Sequence, residues 1–194
     1  AGLDTPDDVR SDGACSTGSV RWLMGEDSST GVLRDMWLPT CYGDPGKVSD
    51  TQYWCTSSDS GGVHTNSGVP NHAFSLLVDG GTYNGATVSG IGLTKAAHIY
   101  WRAQTLYQIP YTNFADHADA LEQSCTDLIG APLTNLDTES NVPTISSAQI
   151  SAADCEQVTT ALAAVEMRAD PVQCNFAPIL APDAPALCAN DQIT

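Results

Sequence analysis

Apolar residues fall at helical spacing in four stretches of the chain, and little of it shows the two-residue alternation of a strand. From Pro70 to Val78, Ala73, Leu76 and Leu77 mark one face, and Gly80-Gly81 supplies the stop. A longer helix is predicted from about Leu93 to Tyr107, with Ala96, Ile99, Tyr100 and Ala103 inward and Pro110 ending it. Thr112 or Asn113 then caps a third helix reaching Leu128 or Ile129, with Gly130 just past its end. Ser151-Ala152-Ala153-Asp154 opens a fourth, whose apolar face carries Val158, Leu162 and Val165. Four helices and little strand define a mainly α fold class.

The polar stretches divide the rest. Residues 1–19 have no period and read as an entry loop, residues 20–170 as the helical domain, and residues 171–194 as a proline-rich tail. Trp22, Leu23 and Met24 are apolar enough to bury before Gly25 turns the chain. From Thr40 to Gly62, Pro, Gly, Asp and Ser recur, which describes a long ordered loop. Seven cysteines with no CxxC pair point to disulfides in an oxidising, secreted setting, not to a zinc knuckle or a redox dithiol. Position along the chain suggests Cys41–Cys55 as a staple for the loop, worth about 3 kcal/mol by chain entropy. It also suggests Cys125–Cys155 between the ends of an antiparallel helix pair, and Cys174–Cys188 across the tail. Cys15 is then left over, free or with a partner lost upstream.

Charge narrows the partners. Seven Lys and Arg stand against 23 Asp and Glu, a formal net charge of −16, and so acidic a surface repels phosphate backbones and anionic lipid. No run of eighteen or more apolar residues occurs, and the first residues lack the basic and apolar regions of a signal peptide. Neither nucleic acid nor membrane is expected as a partner.

The sharpest chemical cluster is Asp59-Ser60-Gly61-Gly62-Val63-His64. Two glycines between the acid and the imidazole let the chain fold back so that carboxylate and ring meet. Such a pairing orients the ring and favours its protonated form. A protonated imidazole can donate to an oxyanion. Taken alone, the pair equally describes a loop histidine satisfied by a neighbouring acid.

Its surroundings resemble the thermolysin-like zinc metallopeptidases, of bacillolysin and vibriolysin type. The run Gly61-Gly62-Val63-His64-Thr65-Asn66-Ser67-Gly68-Val69-Pro70-Asn71-His72-Ala73 is similar to that family's histidine motif. Gly80-Gly81-Thr82 and Val88-Ser89-Gly90-Ile91-Gly92-Leu93-Thr94-Lys95 follow in the family's order, then Ile99-Tyr100-Trp101-Arg102-Ala103, Asn113-Phe114 and Gln123-Ser124-Cys125-Thr126-Asp127-Leu128. Upstream, Trp22-Leu23-Met24-Gly25-Glu26-Asp27, Leu33-Arg34-Asp35-Met36 and Tyr42-Gly43-Asp44-Pro45 are also similar. The match covers roughly residues 20 to 130, continued by the Ser151 to Val165 helix.

The resemblance implies the family's helical C-terminal lobe. It makes His64 the donor to the tetrahedral intermediate of peptide hydrolysis and Asp59 the acid that holds it. It places Arg34 on a substrate carbonyl of the primed side, with Leu33 and Met24 lining the S1′ pocket. It further implies a peptide or protein substrate cut before bulky apolar residues, and zinc in the complete enzyme. The family's zinc ligands come from an HExxH helix and a following glutamate, and no HExxH occurs in this sequence. They are expected upstream of Ala1, on an N-terminal half that would be this chain's partner, so this chain alone should be inactive. His72 should be packed, and His98 and His117 solvated. Calcium is not expected: Glu26 and Asp27 match acidic positions near the family's calcium cluster, but Arg21 stands where that pattern has an aspartate. The alternative is a non-catalytic peptide-binding module derived from a metallopeptidase. A serine hydrolase using Ser67 fits poorly, since Ser67 is three residues from His64 and no GxSxG exists.

Overall fold

The computed structural model describes residues 15, 21–25, 28–137 and 142–176. Among these, five α-helices dominate: α1 (Asp59–Asn66), α2 (Gly68–Asp79), α3 (Leu93–Arg102), α4 (Phe114–Asp127) and α5 (Ala152–Ala164). Two short antiparallel hairpins pair β1 (Leu23–Met24) with β2 (Arg34–Asp35) and β3 (Gly81–Tyr83) with β4 (Ala86–Val88). The mainly α class read from periodicity is the class observed.

Helix α2 carries the core. Val69, Ala73, Leu76, Leu77 and Val78 are all buried, against Ile99 and Ala96 of α3 and Val158, Ala161 and Leu162 of α5. Its C-terminus passes close to the exit of β4. A β-carbon on Gly80 would lie 2.7 Å from the Gly90 amide nitrogen, and one on Gly90 would lie 2.6 Å from the Asp79 carbonyl carbon, so both must be glycine. The released Leu77 and Val78 carbonyls are taken up by the amides of Ile91 and Gly92. Trp22, Phe74, Tyr100 and His117 meet edge to face in succession, with centroids 5.9, 4.8 and 5.7 Å apart.

Both later helices begin as their sequences suggest. Asn113 and Asp116 form a capping box on α4, and Ser151 and Asp154 form one on α5, each satisfying amide groups the first turn leaves over. The helix predicted from Leu93 to Tyr107 ends differently. α3 widens after Arg102 into a π-turn over Ala103–Tyr107, in which the Gln108 amide donates to the Ala103 carbonyl. Arg102 and Tyr107 both reach Asp127 of α4 from that turn.

Two cysteine pairings expected from spacing are corrected. Cys41 is joined to Cys15, and Cys55 to Cys174, while Cys125 is joined to Cys155. Cys41–Cys55 therefore does not exist, Cys174 does not pair with Cys188, and Cys15 is not left over; Cys188 itself lies outside the described residues. The reason is that residues between Cys41 and Cys55 are ordered by their own bonds, Asp50 accepting from the Gly46 amide at 2.8 Å and Tyr53 donating to the Asp50 carbonyl. Those turns carry the two thiols to different neighbours, which linear spacing cannot register. The Cys55–Cys174 link spans 119 positions, a loop whose closure entropy is worth about 5 kcal/mol in the chain-entropy picture, more than the short staple would give.

Three further side chains differ from expectation. Of the apolar trio at 22–24, Trp22 is buried against Phe74 but Met24, on the two-residue strand that follows, is exposed. His98 and His117 are half-buried, not solvated: His98 Nε2 lies 2.9 Å from the Thr134 carbonyl oxygen, and the Gln108 amide sits 2.5 Å from His117 Nδ1. His72 is buried as expected, its Nδ1 2.9 Å from the Gly46 carbonyl and its ring edge-on to Tyr83.

Candidate functional site

The local geometry begins with an unusual backbone. Asp59, Ser60, Gly61 and Gly62 take φ values of 54, 50, 84 and 79°, a left-handed turn at the head of α1. For residues with a β-carbon this region costs roughly 1–2 kcal/mol each, so placing glycine at two of the four positions removes part of the strain. At Gly62 there is a second reason, since a β-carbon there would lie 2.5 Å from the β-carbon of Trp54.

Asn66 holds the turn against that tryptophan. Its buried side chain accepts from the Trp54 amide at 2.8 Å and donates to the Trp54 carbonyl at 3.1 Å and the Gly61 carbonyl at 3.4 Å. The turn thereby brings the Asp59 carboxylate back over the start of α1. One oxygen accepts from the His64 amide at 3.1 Å and the other lies 2.5 Å from His64 Nδ1. The hydrogen bond from the His64 ring holds the Asp59 carboxyl below the usual carboxylate range. An ionised carboxylate only accepts, so Nδ1 carries the proton and Nε2 is left to face outward. The ring is 80% exposed.

Arg34 reaches the same place from another element. On the β1–β2 hairpin Met24 stands opposite Arg34, and the Leu33 amide donates to the Met24 carbonyl at 2.8 Å. Met24 and Leu33 are both exposed apolar side chains on this hairpin, 45% and 59% exposed. Arg34 Nη1 donates to Ser67 Oγ at 2.6 Å, and Ser67 Oγ donates to the His64 carbonyl at 2.7 Å. Among the described residues Arg21, Lys47, Lys95, Arg102 and Arg168 all close ion pairs with carboxylates, whereas Arg34 meets a neutral hydroxyl. Asp44 is the acid whose titration feels Arg34: burial raises its pKa and the guanidinium opposes that rise.

The residues singled out from the sequence therefore fall together. Asp59 and His64 touch, Arg34 is one hydroxyl away, and Met24 and Leu33 flank Arg34 on its hairpin. Asn66 and Ser67 were missed as parts of the arrangement. Nothing local marks Asn66's partner twelve positions away or Ser67's partner thirty-three away. The Ser67 hydroxyl points to the His64 backbone and not to its ring, which leaves no serine–histidine dyad. A cavity of about 570 Å³ lies beside the site, lined by Tyr53, Val63, Pro70, Phe114 and Pro171 among others, but Arg34, Met24 and Leu33 take no part in it.

No group of three or more His, Cys, Asp or Glu side chains among the described residues could hold a metal ion. These residues do not fit a zinc site. At the position where a cation was expected to oppose calcium, Arg21 Nε pairs with Asp79 at 2.8 Å and Trp22 donates to the same carboxylate. Glu26 and Asp27 lie outside the described residues. No helix among the described residues is long and apolar enough to cross a membrane.

A family model described as the thermolysin metallopeptidase, alpha-helical domain, matches residues 9–141. The chain is 48% identical over 115 residues to a bacillolysin of Brevibacillus brevis, covering 57% of this chain and 21% of that protein. It is 37% identical over 167 residues to a zinc metalloproteinase of Renibacterium salmoninarum, covering 83% of this chain and 28% of that protein. A thermolysin of Alicyclobacillus acidocaldarius is 41% identical over 115 residues, 57% of this chain and 21% of that protein. The aligned part is thus between a fifth and three tenths of each relative's length.

Proposed function

Since the chain belongs to the thermolysin metallopeptidase family, as its alpha-helical domain, we propose that it forms one wall of the peptide cleft of a secreted zinc endopeptidase. The zinc ligands and the opposite wall would come from an N-terminal half, and the substrate is a peptide or protein cut before a bulky apolar residue. Calcium is left out of this reading because Arg21, a cation paired with Asp79, stands where the family's pattern has an aspartate.

The observation that carries this reading is the exposed Asp59–His64 pair, standing beside a guanidinium that meets a hydroxyl and, among the described residues, no carboxylate. Asp59 fixes the ring through Nδ1, so that a protonated ring presents its Nε2 proton to an oxygen that gains charge as the peptide carbon becomes tetrahedral. Arg34 offers its remaining N–H groups to a substrate carbonyl in the fork geometry that suits one. The exposed Met24 and Leu33 give an apolar P1′ side chain a surface to bury.

In the complete enzyme, His64→Ala should lower kcat by about 100-fold or more with little change in KM, as loss of one oxyanion donor does. An unchanged kcat would remove His64 from the chemistry.

A further inference from the structure

The hydroxyl of Ser67 does something the residue's position does not call for. Ser67 is the single residue between α1 and α2, at the N-cap of α2, where a serine ordinarily accepts from an amide of the new helix's first turn. Here its side chain makes no such bond. It spends its one proton on the His64 carbonyl, at the end of α1, and accepts from Arg34. The directions follow from the chemistry of the groups. Arginine has no acceptor, so Arg34 must donate, and the serine proton is then available only to the carbonyl. The hydroxyl makes a link between two elements thirty-three positions apart in place of a cap.

We propose that Ser67 is a positioning residue that sets the distance between Arg34 and His64. This rests on the reading above, in which the two side chains hold neighbouring oxygens of one substrate. A guanidinium on a two-residue strand has several rotamers, and among the described residues no carboxylate pairs with Arg34 to select one. Ser67 selects it, and does so from the same residue that ties down the His64 backbone. Arg34 and His64 therefore move as one unit with α1. Asp44 does not substitute for it: its carboxyl feels the guanidinium charge, but no Asp44–Arg34 ion pair is closed among the described residues.

The test is a double-mutant cycle in the complete peptidase on a peptide with an apolar P1′ residue. Ser67→Ala should lower kcat/KM by about 10-fold, the scale of one hydrogen bond to a charged group, while Ser67→Thr, which keeps the hydroxyl, should stay within about 2-fold of the parent. In an Arg34→Ala background the Ser67→Ala change should be nearly silent, because the link has already lost one end. Thermal melts of each variant separate this from unfolding: a general packing defect would cost the same in both backgrounds and would not be rescued by threonine. Equal losses in the two backgrounds, with Arg34→Ala itself damaging, would overturn the role of Ser67 and leave the cleft reading standing. An Arg34→Ala variant with full activity would overturn both.

Discussion

A methyl group at Gly62 would have to share space with the β-carbon of Trp54, 2.5 Å away, in a backbone region at φ 79° that disfavours it anyway. Its neighbour Gly61 has φ 84° but open space around the same position. The two glycines thus separate conformational strain from steric overlap. Gly61→Ala should cost about 1–2 kcal/mol, the left-handed penalty alone. Gly62→Ala should cost about 3 kcal/mol or more, since Trp54 can yield only by moving backbone that Asn66 clamps. Urea melts of the two variants check this, and equal losses would show that Trp54 can step aside. The same contrast shows what was legible in the sequence. The pair of glycines between an acid and a histidine announced a fold-back, and the structure has one. Its left-handed sense, and the tryptophan that enforces it, depend on a segment brought in from outside the motif.

Among the elements, the helices were readable because their signals are local. The residues of each capping box lie three apart, and the apolar faces recur every three or four positions. What joins one element to another was not readable, and Asp154 illustrates the point. It completes the cap of α5 through the Ser151 amide and hydroxyl, both at 2.7 Å, and also pairs with Lys95 of α3 at 2.9 Å. Its burial pushes the carboxyl up, yet the bonds from Lys95 and Ser151 outweigh that and hold it below the usual carboxylate range. Ser151→Ala removes a cap and should cost about 1 kcal/mol. Asp154→Ala removes half the cap and strands the Lys95 ammonium at a poorly solvated position, so about 2–3 kcal/mol is expected. Denaturant midpoints would decide between this and an isolated cap, for which the two losses would match.

At the scale of the molecule, the segment after α5 is tied back to the loop before α1 and to the β3–β4 turn by Glu166. Glu166 accepts from the Ser49 amide at 2.8 Å, from Lys47 at 3.0 Å and from Asn84 of the β3–β4 turn at 3.0 Å. Burial acts to raise its pKa, but these donors together bring it down to about 2 from an ordinary 4.5. A carboxyl whose pKa is depressed in the folded protein contributes stability that is complete above about pH 4.5 and is lost as the pH falls toward 2. The size is on the order of 3 kcal/mol, for a side chain 23% exposed. His72 acts in a different window. Burial lowers its pKa below 6.5, so the folded protein favours the neutral ring, and that contribution is complete above pH 6.5 and declines below it. Acid should therefore weaken the fold in two stages, the first beginning near pH 6.5 and the second between about 4.5 and 2. Glu166→Gln should lower stability at pH 7 and flatten only the second stage, because the amide no longer titrates but also no longer attracts Lys47. Unfolding free energies from urea melts at a series of pH values would show this. A Glu166→Gln variant that keeps the full acid slope below pH 4.5 would place the sensitivity elsewhere among the 23 carboxylates of the chain.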